Sequence, residues 1–419
     1  MRSQLRTIVT RVSAALAFAG LAGAVHATAI GTAAGTTINN MASVDYSIGG
    51  VTQTTLKSCA ATACTSTTGT NTAFVVDNKV DVLVTIPNTT FATGYPGSTV
   101  AGATALATFT VTNKGNKTQD FDLATQFNYS GAQTVSGFSS PSVTDTIDPT
   151  ACTAYIQGAP TQTYIDELAS GDSATITVAC AIPADKVKGD IAVIALKATA
   201  LSGGAVGTKG SALMQTATPT AGEDIVFADT AGVFTGDIAR DGAHSALNAI
   251  KVISAVLKTQ KTVATLCDPL NGNTDPKNIP GAFVQYTITI TNEGLAGDAD
   301  ATDATLTQLS DALDSALTFD DDLIAGASSA QCKTGGTATN AAGKGFGVKV
   351  ENTARASANS GAWQYKTTID NSNDDGAKAV SGTVTLDFAK LLPVEGAYTA
   401  GQLKKGGEKV TVIFNAQIN

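Results

Sequence analysis

The sequence is poor in charge, aromatic rings and histidine. Charged residues make up 15% of the 419 residues, against about 25% in a typical soluble domain. Aromatic residues are 5%, with one tryptophan, and the two histidines are His26 and His244. We expect His26 to be removed with a targeting segment, which leaves little from which to build a histidine-based metal site or general base. Phosphate-loop, dinucleotide, zinc-protease and serine-hydrolase motifs are also lacking. We therefore expect no enzyme and no cofactor.

Positive charge is in deficit, because 35 acidic residues outweigh 26 basic ones and the formal net charge is −9. This balance argues against nucleic acid or an anionic membrane as a partner. Hydrophobic residues are 43% and the mean hydropathy is +0.11, so the chain is not a disordered polar chain. The length predicts two or three domains, each able to bury a core.

The first residues have the pattern of a secretory signal. Three arginines, Arg2, Arg6 and Arg11, precede an apolar run over 12–24, and Val25-His26-Ala27 has the small residues of a cleavage site. The run is shorter than the roughly 18 residues that a membrane span needs. We predict a signal peptide over 1–27, a secreted protein of the extracellular space or cell surface, and no membrane insertion after its removal.

Export permits disulfides. The six cysteines allow fifteen pairings. Chain order favours three local pairs, with free buried thiols as the alternative. These pairs are Cys59–Cys64, Cys152–Cys180 and Cys267–Cys332.

Apolar and polar residues alternate with a period of two in most of the chain, for example over 37–48 and 409–419. Threonine, valine and isoleucine with glycine and asparagine turns favour strands packed on one face. The fold class predicted is all-β, with two tandem immunoglobulin-like β-sandwich units after the signal peptide. Two segments, 243–258 and 306–316, could be helical; in the first we favour a strand from about Lys251.

An internal repeat sets the domain boundaries. Residues 95–115 match 279–294, each with a Pro-Gly turn followed by Thr-Val-Thr-Asn-Lys-Gly or Thr-Ile-Thr-Asn-Glu-Gly, and 168–183 match 404–419. We predict an N-terminal strand region, two units and a linker between them. Their bounds are 28–50 for the strand region, 51–200 for the first unit, 201–249 for the linker and 250–419 for the second unit.

The segment TITITNEG after a Pro-Gly turn, preceded by KTVATLCDPLNGNTDPKNIPGA, resembles the bacterial conserved-repeat surface domain, domain of unknown function eleven. GTTINNMASVDYS and YIDELASGDSATITV are similar to segments of exported proteins of that family. The resemblance implies immunoglobulin-like sandwiches, often in tandem, on secreted or cell-surface proteins, and implies no catalytic motif. It covers most of the second unit and more weakly the first, and 320–380 departs from it.

Two groups of residues are candidates for ligand binding. Asp229, Asp237 and Asp241 lie in a glycine-containing loop and could hold calcium through oxygen ligands, although the EF-hand spacing is not met and a solvated loop is the alternative. Trp363 and Tyr365 alternate in a predicted strand and could stack on a sugar, but we favour a core tryptophan.

The repeat is incomplete at both ends. The first unit continues past its ATITVACAIP strand into KGDIAVIALKATA, whereas the second stops at VTVIFNAQIN, and GTTINNMASVDYS resembles the closing strand of a preceding unit. An open sheet edge can accept a strand from another chain. We predict an assembly strand and a receiving strand. The assembly strand carries Ile38, Ala42, Val44 and Tyr46, and the receiving strand carries Val410, Val412, Phe414 and Ala416.

These features predict a secreted structural protein, a subunit of an extracellular filament or matrix assembled head-to-tail by strand addition, with other copies of itself as its partner. The alternative is a monomeric cell-surface adhesin or carbohydrate-binding module. A further alternative is that 36–48 folds back within the same chain.

Overall fold

The computed structural model describes residues 30–60, 68–98, 105–321, 323, 344–355, 361–367 and 375–419. The predicted signal peptide, Cys64 and Cys332 lie outside the described residues. Strands make up 48% of the chain and helix 1%. The all-β prediction is therefore confirmed.

Residues 37–57 and 72–75 form an extension before the first sandwich, which we call the N-terminal arm. Its first half pairs antiparallel with its second half in three short ladders, and Gly49 and Gly50 turn the chain with positive φ angles of 59° and 84°. Six strands build it: β1 Thr37–Asn40, β2 Ser43–Val44, β3 Ser47–Ile48, β4 Val51–Thr52, β5 Leu56–Lys57 and β6 Thr72–Val75.

The first unit is a sandwich of two main sheets. One has the order β14-β16-β10-β8 and the other β15-β11-β17-β19-β9, and β7–β18 and β12–β13 pair outside them. Its strands are β7 Asn78–Val80, β8 Val82–Thr85, β9 Ala92–Gly94, β10 Leu106–Asn113, β11 Gln119–Gln126, β12 Gly131–Thr134, β13 Ser142–Asp145, β14 Ala151–Ile156, β15 Tyr164–Leu168, β16 Ser173–Ala181, β17 Ile191–Ser202, β18 Ile225–Phe227 and β19 Ala243–Val252.

The core of this unit lies between the two sheets. Alternate residues of β10, including Phe109 and Val111, point inward and are fully buried, as period-two patterning requires. They meet Ile194 and Leu196 of β17 from the opposite sheet. The predicted Cys152–Cys180 disulfide joins directly paired positions of β14 and β16, with 4.1 Å between the Cα atoms.

The second unit has one large sheet and one small one. The large sheet has the order β20-β21-β30-β25-β26, with β24 also paired to β30; the small sheet is β23-β28-β27, and β22 pairs with β29. Its elements are β20 Leu257–Cys267, β21 Phe283–Asn292, β22 Ala304–Thr305, β23 Gln308–Ala312, β24 Leu317–Asp320, β25 Phe346–Glu351, β26 Gln364–Lys366, β27 Ala377–Val380, β28 Thr383–Asp387, α1 Phe388–Leu391, β29 Gln402–Leu403 and β30 Lys409–Ile418.

Two predicted elements are corrected by the structure. Residues 243–252, placed mostly in the linker or in a helix, form strand β19, which pairs with β17 in the first unit. Its continuous apolar run fits a strand buried on both faces, which periodicity alone does not separate from a helix. In the second candidate helix, residues 308–312 are strand β23, paired with β28.

The arm and the second unit attach to opposite ends of the first sandwich. Near the arm, Ala34 N–H donates to the Asn116 carbonyl oxygen, and Asn116 lies just beyond the Asn113 end of β10. The second unit attaches where β17 begins and β19 ends: Lys251 pairs with Asp300 at 2.9 Å, and Lys188 pairs with Asp298. Because β17 spans Ile191–Ser202, its length separates these two ends. No helix in the described part of the chain is long and apolar enough to cross a membrane.

Candidate functional site

The residue pairings between neighbouring strands identify equivalent positions in the two units. Strand β8 pairs with β10 so that Val82 lies opposite Asn113, and β20 pairs with β21 so that Leu257 lies opposite Asn292. The two asparagines occupy the same place in the repeated Thr-Asn-Lys-Gly and Thr-Asn-Glu-Gly segments. Val82 and Leu257 are therefore equivalent positions in the two units.

In the first unit these positions are covered. Val82 and Val84 are 1% and 2% exposed and belong to the same core cluster as the inward residues of β17 and β19. His244 of β19 also reaches β8, since its Nδ1 accepts a hydrogen bond from the Val84 N–H at 3.1 Å. The strand pair β17–β19 thus seals the inner side of β8.

In the second unit the equivalent surface is open. Leu257 and Val263 lie opposite Asn292 and Tyr286, on the face of the sheet that carries the buried Ile288, yet they are 47% and 56% exposed. We call the inward-facing residues of β20, namely Leu257, Thr259, Lys261 and Val263, the open face. Exposed apolar side chains on the core side of a sandwich indicate a surface that lacks its cover.

Lys261 crosses the open face. Its Nζ lies 2.6 Å from the Asp311 carboxylate on β23 and 4.5 Å from the centre of the Tyr286 ring. Its charge is thus held by a side chain of the opposite sheet, and its aliphatic part lies along the sheet. The first unit has Ile86 at the corresponding sequence offset.

The small sheet has an unpaired edge next to the open face. Leu306 and Leu313 both pack against the core, and their N–H groups donate to Gly401 and Gly382. Each of these two strands has one partner among the described strands, β29 for β22 and β28 for β23. The edge that β29 occupies corresponds to β15 in the first unit, because the Asn292 and Asn113 side chains donate to the Leu403 and Leu168 carbonyl oxygens in the two units.

The opposite edge is where β17 pairs with β11 in the first unit. Among the described residues of the second unit, no strand pairs with β22 or β23 there. The described strands of the second unit therefore include no counterpart of the two-stranded cover that β17 and β19 provide in the first. The prediction of an incomplete second unit stays a prediction, because residues 324–343 of that unit lie outside the described residues.

The predicted receiving strand is corrected. Val410, Val412, Phe414 and Ala416 lie on β30, which pairs with β21 on one edge and with β24 and β25 on the other. All four side chains are buried in the core of their own unit. A strand with both edges paired cannot accept another strand, so the acceptor cannot be β30.

The predicted assembly strand lies in the N-terminal arm. Ile38 is half-buried, and Ala42, Val44 and Tyr46 are exposed. The strand is paired within its own chain, because Ile38 lies opposite Phe74 and Val44 opposite Leu56. Among the described strands, none of the second unit pairs with this strand.

The three candidate calcium ligands do not converge. The Asp229 carboxylate accepts the N–H groups of Arg240, Asp241 and Gly242. Asp237 accepts hydrogen bonds from the Gly232 N–H and the Ser245 hydroxyl. The Asp241 oxygens accept the N–H groups of Ile238 and Ala243. These carboxylates organise the loop.

Asp120, Asp166 and Glu167 are the described acidic residues whose ligand atoms lie within 4.8 Å of one another. Asp120 accepts the Glu167 and Gly210 N–H groups at 2.8 and 2.7 Å. Asp166 accepts the Gly207 N–H at 2.8 Å, and Glu167 accepts the N–H groups of Gly204 and Ala205. Backbone donors from 204–210 thus stabilise the three negative charges, and the cluster fastens that loop to the sandwich.

His244 borders a cavity of about 420 Å³ that Leu83, Thr134 and Val233 also line. Burial lowers the pKa of the imidazole, since the buried site disfavours its charged form. The acceptor role of Nδ1 toward Val84 also fits a neutral ring.

Cys59 and Cys267 are disulfide-bonded. Their predicted partners lie outside the described residues, so these two pairings stay predictions. Trp363 is not a core residue of the sandwich: it is half-buried, and its ring lies where a side chain at Gly347 would be, since a Cβ there would stand 3.2 Å from it. The Lys349 ammonium group lies 5.0 Å from the centre of the same ring. Gly347 and Lys349 alternate with the buried Phe346 and Val348, which places the tryptophan on the outer face of the large sheet.

No protein-family model matches the chain, and no curated protein matches it. The resemblance to the conserved-repeat domain therefore stays a prediction.

Two solved structures give weak matches. One is a chaperone–tip adhesion subunit pre-assembly complex from archaic chaperone-usher pili of Acinetobacter baumannii, at 7% identity and a TM-score of 0.15, covering 78% of this chain and 83% of that chain. The other is a chaperone–tip adhesin complex of CFA/I fimbriae, at 8% identity and a TM-score of 0.14, covering 80% of this chain and 78% of that chain. At these scores the likeness carries no argument about function.

Proposed function

We propose that this chain is a secreted structural surface protein, a subunit of an extracellular filament or matrix that assembles head-to-tail by strand addition. The observation that carries the proposal is the open face of the second unit: Leu257 and Val263 are exposed on the core side of β20. Among the described strands, β22 and β23 each have only one partner. The first unit buries the equivalent valine of β8 under β17 and β19.

Such a surface favours association for two reasons. Unpaired backbone N–H and C=O groups of an edge strand can form a ladder with an added strand. Burial of the apolar side chains adds roughly 25 cal/mol per Å² before the ordering costs of association. An added strand therefore forms hydrogen bonds along that edge and covers part of the exposed apolar surface of the second unit.

The symmetry of the contact determines the product. If the acceptor lies on the second unit and the donor lies elsewhere on the molecule, the contact is heterologous. A heterologous contact whose rotation does not close a ring gives an open filament. The partner is then another copy of this chain.

The experiment is electron microscopy of the purified mature protein over a concentration series, with light scattering of the same samples. We expect filaments or a matrix, with a scattering mass that rises with concentration. A particle of monomer mass at every concentration contradicts the proposal.

Secretion is part of the same proposal and rests on residues 1–27. We propose that cleavage after Ala27 yields a mature protein that begins at Thr28 and has no catalytic role. N-terminal sequencing of protein recovered from outside the cells tests the cleavage, and an intact Met1 in that fraction contradicts it.

The second candidate function is that of a monomeric adhesin or carbohydrate-binding module. The half-buried Trp363 and Tyr365 on the outer face of the large sheet favour it, because exposed aromatic faces can stack on sugars. Binding to immobilised glycans that is lost in Trp363→Ala, from a protein that stays monomeric, supports this candidate over assembly.

A further inference from the structure

We infer that the open face of the second unit receives the N-terminal arm of another copy as a two-stranded ribbon, in the place that β17 and β19 occupy in the first unit. This inference rests on the proposed function and names its donor and acceptor. The acceptor is the open face together with the unpaired edge of β22 and β23.

The cover of the first unit is two-stranded. In the first unit β17 pairs with β11 along Gln119–Gln126, and β19 pairs antiparallel with β17 along 191–199. A single added strand would replace β17 at the edge but would leave the position of β19 empty. An antiparallel ribbon replaces both strands.

The N-terminal arm is an antiparallel ribbon with apolar cross-strand pairs. Ile38 lies opposite Phe74, and Ile48 lies opposite Val51. Directly opposed residues share one face of a ribbon. Phe74 and Ile48 are 62% and 64% exposed, so this apolar surface has no cover in the single chain.

The arm also has the backbone edge that strand addition needs. The hydrogen bonds found for residues 37–57 join them to other arm residues or to the adjacent Ser58, as in the Gln53 N–H to Tyr46 carbonyl bond at 2.9 Å and the Ala42 N–H to Ser58 Oγ bond at 2.9 Å. Among the described strands, β1 pairs with β6 and with no other, so its second edge is available to β23.

The arm and the acceptor lie toward opposite ends of the molecule. The arm starts beside Asn116, near the Ser202 end of β17, and the second unit attaches at the Ile191 end. The twelve residues of β17 correspond to about 40 Å at roughly 3.3 Å per residue. The intervening sandwich disfavours docking of the arm on the second unit of its own chain, and this arrangement favours a head-to-tail contact between copies.

The first test places a charge on the acceptor. Val263→Asp puts a carboxylate on the open face, at a site that is already 56% exposed, so the unit is expected to fold. The matched control is Thr262→Asp, which places the same charge on the other face of the same strand. We expect Val263→Asp to raise the concentration needed for assembly by about tenfold or more, because a buried unpaired charge opposes docking, and Thr262→Asp to assemble like the unmodified protein.

The second test identifies the donor. Full-length chains carrying Val44→Cys are mixed with chains carrying Val263→Cys, under conditions that leave the native disulfides oxidised, and treated with a short thiol-specific cross-linker. We expect a covalent product containing one chain of each type. Replacing Val44→Cys with Val206→Cys, on an exposed loop of the first unit, is expected to give no such product.

The outcomes separate the two proposals. Filaments that form equally well from Val263→Asp, or that give no cross-link between positions 44 and 263, overturn the arm-and-open-face contact while the filament function stands. A cross-link that forms only within one chain carrying both substitutions, in a monomeric protein, also overturns it. If the unmodified protein does not assemble at any concentration, the proposed function fails as well.

Discussion

Asn113 and Asn292 make the same hydrogen bonds in the two units. Each side chain is fully buried at the end of a central strand. Asn113 Nδ2 donates to the carbonyl oxygens of Lys117 and Leu168, both at 2.9 Å, and its Oδ1 accepts the Gly115 N–H.

Asn292 Nδ2 donates in the same way to the carbonyl oxygens of Thr302 and Leu403, both at 3.1 Å, and its Oδ1 accepts the Gly294 N–H. Each asparagine thus connects the turn after its own strand to the last residue of a strand in the other sheet, which is β15 in the first unit and β29 in the second. The repeated Thr-Asn-x-Gly segment is therefore a structural requirement of the unit.

Replacement of either asparagine by alanine is expected to destabilise its own unit. Asn113→Ala leaves two carbonyl oxygens and one N–H group without their partner, at a cost of about 1–3 kcal/mol for each buried unsatisfied group. Thermal unfolding should show a lower transition for the first unit in Asn113→Ala and for the second unit in Asn292→Ala. Asn39→Ala, in the exposed arm, is the control that should leave both transitions in place.

The equivalence of Asn113 and Asn292 shows that part of the fold can be predicted from a repeated segment of a single sequence. A local segment repeated with its turn glycine predicts the strand, the turn and the register of the neighbouring residues. The replacement of Val84 by Thr259 at equivalent positions is a weak signal of the open face that sequence reasoning missed.

The acceptor strand was not predictable, because strand order is a non-local property. The alternation of β30 gives the face that is buried, but it says nothing about which strands lie on its two edges. Those partners, β21, β24 and β25, lie far away along the chain. The pairing of the N-terminal arm could not be predicted for the same reason. The alternation over 37–48 indicates a strand, but it does not indicate that Thr37–Asn40 pairs with Thr72–Val75.

Removal of the Cys152–Cys180 disulfide should destabilise the first unit alone. The cysteines are 28 residues apart in sequence, and closing a loop of that length contributes about 3.6 kcal/mol through the unfolded state. The double variant Cys152→Ala/Cys180→Ala is expected to lower the first unit's transition and to leave that of the second unit unchanged. An unfolding free energy equal to that of the unmodified protein contradicts this role.

The stability of the first unit should depend on the ionisation of Asp145. Burial raises the pKa of its carboxyl group from 3.8 to about 6. One carboxylate oxygen accepts the Val193 N–H at 3.2 Å, and the other is buried without a hydrogen-bond partner. The folded state thus binds the proton more tightly than the unfolded state, so this contribution to the unfolding free energy is fully present below about pH 4 and is lost as the pH rises through 6.

The variant Asp145→Asn removes that charge. We expect it to unfold at a higher temperature than the unmodified protein at pH 7.5, and the difference should shrink as the pH falls toward 4. Asp275→Asn, at a side chain that is 84% exposed, is the control and should show no such pH-dependent difference. A parallel pH profile for Asp145→Asn and the unmodified protein would show that the Asp145 carboxyl does not carry the effect.

The stability of the second unit should depend on Arg355. This guanidinium is 4% exposed and donates to three backbone carbonyl oxygens, those of Pro393, Thr399 and Gln402, at 2.7, 3.1 and 2.9 Å. It also lies 4.2 Å from the centre of the Tyr398 ring, whose hydroxyl bonds to Glu408. Arg355 thus fixes the loop between α1 and β29.

Arg355→Met keeps most of the side-chain volume but leaves three buried carbonyl oxygens and the Glu408 charge without the guanidinium. We expect a loss of at least about 2–3 kcal/mol in the unfolding free energy of the second unit. Arg355→Lys should rescue only part of it, because an ammonium group cannot reproduce the planar arrangement of donors. Chemical denaturation of the two variants measures both losses, and a lysine variant as stable as the unmodified protein would show that charge alone, and not the fork of donors, holds this loop.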